Sequence, residues 1–299
     1  MIINRSIDNI SYCTDCETFY GDRDVLNYPL VLNWLITNKC NLECKYCFAS
    51  DVRNMDDIRQ DIIKFVNDSY FLKLVISGGE PFENNTIGDI LPQIDHLKKA
   101  IVIDTNGTHE FQPSEIELIR RKNITLRISL DSVNPNENEK IRTCPSGPYF
   151  ERIVANIELL IKSGINIALQ TVVTKSNIKS LTQLAAMISH WDIKKWYLQP
   201  MIPSGRGKFM EHLVPTHLSI IKECLKLGLD EGILLLKEDE NHKAVVLLNN
   251  YGDLITEDSN ENILLGTICN IKHNDLISKI DKANHIKRYK IESRCLCEK

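Results

Sequence analysis

The chain has 299 residues, 43% hydrophobic and 25% charged, which is ordinary composition for a chain long enough to bury a full core. Its formal net charge of -4, with lysine and arginine scattered, gives no general attraction to nucleic acid or to an anionic membrane. No apolar run approaches the ~20 residues that span a bilayer and the N-terminus lacks a secretion signal, so a cytoplasmic protein is expected, in which ten cysteines point to metal binding rather than disulfides.

Short β-rich apolar runs alternate with segments of helical period. The pattern predicts strands over residues 31–37, 72–77, 101–105, 125–131, 166–174 and 196–200, and helices near 55–69, 86–100, 113–122, 149–163 and 178–190. The helix near 149–163 has its apolar face at Ile153, Ile157, Leu160 and Ile161 and stops at Gly164. Right-handed βαβ crossovers wind such a chain into an α/β fold, here a partial (β/α)6 TIM-type barrel, with the site at the C-terminal strand ends. The rhythm stops after Gly205-Arg206-Gly207. The expected division is an N-terminal extension with a CxxC pair (1–29), the barrel (30–207) and a small α+β appendage (208–299).

The first strand runs directly into Cys40, Cys44 and Cys47. Spacings of three residues and then two crowd three thiolates into one loop, which suits three corners of an iron-sulfur cube better than four ligands around one zinc. The fourth iron is then open to a chelating cofactor. Gly78-Gly79-Glu80-Pro81 follows strand two, where adjacent glycines allow a close backbone approach, although such a run also makes a tight turn anywhere. Thr105-Asn106 ends strand three, Ser129 and Asp131 end strand four on one face by the period of two, and Gln199 ends strand six. All five constellations converge on one rim.

Cys40, Cys44 and Cys47, with Tyr46 at the aromatic position and Phe48 after it, resemble the CxxxCxΦC signature of the radical S-adenosylmethionine (radical SAM) enzymes, and Gly78-Gly79-Glu80-Pro81 resembles the family's GGEP motif. The resemblance runs from about Val31 to Arg206. It implies a 4Fe-4S cluster on the three cysteines and S-adenosylmethionine chelating the open iron, cleaved on reduction to a 5'-deoxyadenosyl radical that abstracts hydrogen from substrate. A low-potential flavodoxin- or ferredoxin-type electron donor is implied with it. In this reading Glu80 or nearby carbonyls accept the methionine ammonium group, Ser129 and Asp131 reach the ribose, and Arg142 matches the methionine carboxylate, against the bland reading of a solvated arginine. Thr105 and Asn106 face cofactor or substrate, and Thr171 and Val173 offer backbone or packing contacts to the adenine. Tyr46, Phe48 and Gln199 complete the expected cofactor surroundings.

The tail from about Lys208, with Tyr251 to Ile255 and Leu265 to Ile268, looks like the start of a SPASM or twitch extension, but the usual hairpin cysteine is missing. One auxiliary iron-sulfur cluster drawn from Cys13, Cys16, Cys269, Cys295 and Cys297 is weighed against zinc or free thiols. Cys144 and Cys224 read as packing residues. The leading expectation is a maturase acting on a peptide or protein side chain. The alternative is a viperin-like enzyme acting on a nucleotide or other small molecule, and a third reading is an electron carrier.

Overall fold

The structure, a computed structural model, describes residues 2–4, 10–15, 18–21, 25–26, 31–47, 58–83, 86–191, 193, 195–228, 234–236, 245–257, 262–271, 276, 279 and 289–290. Strands β1 (Val31–Thr37), β2 (Lys73–Gly78), β3 (Ala100–Thr105), β4 (Thr125–Ser129), β5 (Asn166–Val173) and β6 (Lys195–Pro200) each pair in parallel with the next. Their limits lie within two residues of those predicted. Helices α1 (Arg59–Asp68), α2 (Thr86–Ile90), α3 (Pro113–Arg121), α4 (Pro135–Ile141), α5 (Phe150–Lys162) and α6 (Leu181–Ile188) lie in the connections.

Two helices depart from expectation for local reasons. α2 stops at Ile90 and passes into a 3-10 turn over Leu91–Gln93, because Pro92 has no N–H to continue the α pattern. α4 was not predicted. Its sequence Pro135-Asn136-Glu137-Asn138-Glu139-Lys140-Ile141 has no apolar stripe, and it forms on its cap: the Asn134 side chain accepts from the Asn136 N–H and Pro135 opens the first turn.

The chain beyond residue 207 shares the same sheet. After α7 (His217–Cys224), strand β7 (Leu234–Leu236) adds in parallel to β6, so the βα rhythm continues for one more unit through a strand too short to show periodicity. Strand β8 (Val245–Leu248) lies parallel to β1, and β9 (Asp253–Glu257) and β10 (Asn262–Thr267) follow antiparallel. The sheet order is therefore β7-β6-β5-β4-β3-β2-β1-β8-β9-β10, an α/β architecture around a largely parallel sheet. Separately, residues 2–4, 10–13 and 18–21 form a small antiparallel sheet, and 25–26 pair with 289–290.

Period two divides the two faces of the parallel strands. On one face Leu32, Leu74, Ile76, Ile103, Leu126, Ile128, Leu169, Trp196 and Leu198 are completely buried in one core with the helices, each contributing about 1.5–3 kcal/mol by leaving water. The predicted face of α5, Ile153, Ile157 and Leu160, joins that core. The other face mixes buried apolar side chains such as Val75, Val102 and Tyr197 with polar ones, Asn33, Asp104, Ser129, Gln170 and Gln199, that are all half-buried. Among the described residues no helix is long and apolar enough to cross a membrane.

Candidate active site

β1 ends at Thr37, whose hydroxyl accepts the Lys39 N–H at 3.1 Å, and the chain turns into the cysteine loop. Leu42 pins that loop into the core, and Glu43–Cys44 pairs antiparallel with Arg142–Thr143 from the far end of α4. Cys40 is exposed, Cys44 and Cys47 are half-buried, and all three are free thiols. Desolvation pushes the Cys40 thiol up to about 11; the Leu42 N–H opposes the shift, and Glu80, Cys44 and Cys47 add to it. Burial also raises Cys44, against the pull of Arg142. The three sulfurs therefore sit within electrostatic reach of one another, and the raised Cys40 and Cys44 thiols are protonated near neutrality, so loading a metal centre releases protons.

The donor set fits a cluster. One tetrahedral zinc at Zn–S of about 2.3 Å needs its sulfurs about 3.8 Å apart, and among the described residues no three His, Cys, Asp or Glu side chains are close enough to hold a single ion. A four-iron cube instead spreads three cysteines over three corners, as a loop bearing thiols at 40, 44 and 47 does.

The two glycines of the GGEP run serve backbone packing. A Cβ on Gly78, at φ +125°, would fall 2.3 Å from the Thr37 carbonyl oxygen, and one on Gly79 would fall 2.1 Å from that of Lys39. The close approach lets the Gly79 N–H donate to Thr37 at 2.7 Å and the Glu80 N–H to Lys39 at 2.8 Å, tying strand two to the residues just before Cys40. The Glu80 carboxylate, expected to meet the methionine ammonium group, is turned inward. It accepts from Thr105 Oγ1 at 2.8 Å, the Asn106 N–H at 2.7 Å and the Phe82 N–H at 3.2 Å, and burial raises its pKa despite these bonds. Its role is to hold the end of β3 against the end of β2.

That grip continues into a ring that joins the expected Asn106 to two side chains sequence reasoning missed, Asn41 and Thr108. Asn106 Nδ2 donates to Asn41 Oδ1 at 2.7 Å, Asn41 Nδ2 to Thr108 Oγ1 at 2.8 Å, and Thr108 Oγ1 to Asn106 Oδ1 at 2.7 Å. Asn106 Nδ2 also lies 3.9 Å from Cys40 Sγ. The only sequence signal was Asn41 itself, a short amide inside the cysteine motif.

On the opposite flank Ser129 ends the inner face of β4, with its carbonyl held by Arg142 Nη1. Asp131 is 2% exposed and fully engaged, accepting from the Val172 N–H at 2.8 Å and from the Tyr46 hydroxyl. It clamps β5 and the cysteine loop to the end of β4 rather than facing the rim. Arg142 is buried, which excludes the solvated reading. Burial opposes its charge, yet Tyr46 and Asp131 outweigh that and hold it protonated, and its Nε has no partner among the described residues. Tyr149 donates to the Arg142 carbonyl at 2.6 Å, and the buried Asn138 of α4 accepts the Asp131 N–H at 3.1 Å.

The side chains of Thr171 and Val173 do not face the rim. Period two puts them on the buried helix-side face of β5, where Thr171 donates to the Leu130 carbonyl at 2.6 Å and accepts from Trp196 at 2.9 Å. Gln199 does reach the inner face, accepting from Gln170 Nε2 at 3.1 Å. Of the auxiliary candidates, Cys13 is buried in the strand whose Tyr12 ring lies 5.5 Å from Lys73 Nζ at the start of β2. Cys269 is exposed beside Ile268, which packs on Gly252 in the turn after β8, so the two sit at opposite ends of the strands. Phe48, Cys16, Cys295 and Cys297 lie outside the described residues.

The family model described as the Radical SAM superfamily matches residues 34–188, more than half of the chain. This chain belongs to the radical SAM superfamily. Among curated proteins it is 26% identical over 197 residues to an AdoMet-dependent heme synthase of Methanosarcina barkeri, covering 64% of this chain and 56% of the relative. It is 29% identical over 192 residues to an S-adenosylmethionine-dependent nucleotide dehydratase of a Fibrobacter species, covering 58% and 56%, and 27% identical over 188 residues to the mycofactocin maturase MftC of Mycolicibacterium smegmatis, covering 61% and 47%. The chain thus spans about half the length of the curated relatives it matches. A solved structure of Streptococcus suis SuiB bound to precursor peptide SuiA shares the fold, with a TM-score of 0.63 at 17% identity over 77% of this chain and 60% of that one. The family implies a 4Fe-4S cluster and S-adenosylmethionine.

Proposed function

We propose that this radical SAM protein is a maturase-type enzyme that modifies a side chain of a peptide or protein. The observation that carries the reading is the loop of three free thiols at the C-terminal rim of a parallel sheet whose inner face carries a row of half-buried polar side chains. Similarity to a mycofactocin maturase and to a fold solved with a precursor peptide supports the peptide class. The sequential order of β1 to β6 supports a sheet curved into a partial barrel around that inner face.

Cys40, Cys44 and Cys47 would hold the cluster. Together the cluster and S-adenosylmethionine would supply one-electron cleavage of the sulfonium and hydrogen abstraction from the substrate. The protein's own residues set the stage for it. Glu80 locks Thr105 and Asn106 into place, Asn106 braces the Cys40 corner, and Asp131 with Tyr46 fixes the other side of the loop. Arg142 keeps a buried positive charge beside Cys44, with an unmade Nε donor suited to a cofactor anion. Ser129 and Gln199 line the rim from which the substrate enters.

The test is anaerobic reconstitution followed by reduction with S-adenosylmethionine, scored by 5'-deoxyadenosine and by mass spectrometry of short peptides encoded beside this gene. Absence of 5'-deoxyadenosine from protein with an intact cluster refutes the radical chemistry. The relative described as a nucleotide dehydratase supports a second reading, and modified nucleotide from a nucleotide panel, with no change in any peptide, selects it.

A further inference from the structure

Arg142 stands directly across from Cys44 in the antiparallel pairing of Glu43–Cys44 with Arg142–Thr143. Residues so paired project from one face with their Cβ atoms about 4.5–5.5 Å apart, so the guanidinium and the thiol share a side of the ribbon. The segment is pinned from several directions. The Lys45 N–H donates to the Ile141 carbonyl at 2.9 Å, the Tyr149 hydroxyl to the Arg142 carbonyl at 2.6 Å, and Arg142 Nη1 to the Ser129 carbonyl. A buried cation is costly unless it is paired. Among the described residues Arg142 nevertheless forms no ion pair, and its Nε has no partner. Asp131, whose charge acts on Arg142, spends one oxygen on the Val172 N–H at 2.8 Å and the other on the Tyr46 hydroxyl. A thiolate at Cys44 supplies the missing negative charge.

The Cys40 corner is different. Among the described residues its sulfur meets neutral donors, the Leu42 N–H at 3.4 Å and the Asn106 amide at 3.9 Å, and the buried Glu80 carboxylate lies within electrostatic reach. Lys39 and Lys45 on the loop are exposed, so water and salt screen them. Arg142 acts through protein, where the same charge is several times more effective than in water. The potential of an iron-sulfur centre follows its net charge, the hydrogen bonds to its sulfurs and its exposure to solvent. A fixed positive charge opposite one of its three ligands therefore favours the state with the extra electron.

We infer that Arg142 raises the reduction potential of the cluster through the Cys44 corner, with the Asp131 carboxylate as its partial counterweight. The inference rests on the radical SAM reading for the presence of the cluster and is independent of the substrate. Arg142 is thus a positioning residue for charge, and it sets how strong a reductant the cluster requires.

The experiment compares wild-type protein with Arg142→Gln, Arg142→Lys and Asp131→Asn, each reconstituted to matched iron content. All are titrated with titanium(III) citrate and redox mediators, and the reduced cluster is counted by electron paramagnetic resonance. Each titanium(III) gives one electron to one cluster and becomes titanium(IV). S-adenosylmethionine is left out, so loss of a cofactor contact cannot mimic the shift. Arg142→Gln is expected to lower the equilibrium constant for reduction about tenfold, a midpoint about 59 mV more negative, and the shift persists at high salt. Arg142→Lys keeps the charge and stays within about threefold of wild type, while Asp131→Asn makes reduction about threefold easier. Asp131→Asn is isosteric, and the Tyr46 hydroxyl can turn to accept from the new amide. Opposite signs at Arg142 and Asp131 are what charge produces and what a merely structural role does not. An unchanged midpoint in Arg142→Gln overturns the inference, as does an equal fall in Arg142→Lys. If Arg142→Gln holds no cluster, Asp131→Asn decides: a higher midpoint supports the inference, and an equal or lower one overturns it. Wild-type protein that titrates normally but cleaves no S-adenosylmethionine refutes the radical chemistry and leaves the role of Arg142 intact. Wild-type protein that binds no four-iron cluster overturns both.

Discussion

Replacing Gly79 by alanine tests the central packing contact of the site. The added Cβ would sit 2.1 Å from the Lys39 carbonyl oxygen, 2.6 Å from its carbon and 2.8 Å from the Asn38 carbon. Ordinary contact begins near 3.4 Å, so the two backbones must part by about 1.3 Å at a place where no flexible side chain can give way. Parting them breaks the Glu80 N–H bond to Lys39 and strains the Gly79 N–H bond to Thr37, about 1 kcal/mol each, and overpacking adds about 1–3 kcal/mol. The expected loss is about 3–5 kcal/mol in denaturant unfolding of the metal-free protein. Because Cys40 follows Lys39 directly, iron retained after reconstitution also falls. Gly88→Ala is the control: it lies in α2 with nothing within 4 Å of its added Cβ, and stability is unchanged or up by about 0.4–1 kcal/mol. A Gly79→Ala protein within about 0.5 kcal/mol of wild type with full iron content would refute the close approach as the reason for the glycine.

Other outcomes follow from the same network. Glu80→Ala strands three donors around a buried cavity and costs about 3–5 kcal/mol, while Glu80→Gln, which loses mainly the bond from the Asn106 N–H, costs about 1–3 kcal/mol by the same unfolding assay. Arg127→Met leaves Asp104 without its bidentate partner at 2.6 Å, and a loss of about 3 kcal/mol is expected; no loss would show that Asp104 is already well solvated. Asn41→Ala opens the ring through Thr108 and Asn106, and it should lower stability by about 1–2 kcal/mol and broaden the electron paramagnetic resonance spectrum of the reduced cluster. Iron and sulfide analysis of reconstituted protein decides the auxiliary cluster: about four irons per chain removes it, and about eight supports it.

The strand limits were legible because a parallel sheet covered by helices on one face writes itself as short apolar runs. Val31–Thr37 emerged as drawn, and Ile153, Ile157 and Leu160 buried the face their spacing announced. α4 was not legible, since its seven residues are held by an Asn134 cap and an inward Asn138 rather than by an apolar stripe. Leu234–Leu236 was equally hidden, because three residues make a strand only when β6 stands beside them.

The sequence by itself determined the spacing of the three thiols, a covalent property, and put Cys40, Gly79, Asn106, Ser129 and Gln199 each at or just beyond the end of its own strand. Only the tertiary structure decided what each polar group does there. Glu80 and Asp131 were read as cofactor contacts and spend their side-chain hydrogen bonds inside the protein, as does Thr171, expected at the adenine through backbone or packing. A buried carboxylate or hydroxyl must find partners wherever folding leaves it, and those partners come from strands 25 to 85 residues away. No local spacing can announce a bond between such distant segments. The joining of β8 to β1, some 200 residues apart in the chain, is decided the same way, by which edge is left unpaired once the other strands have formed.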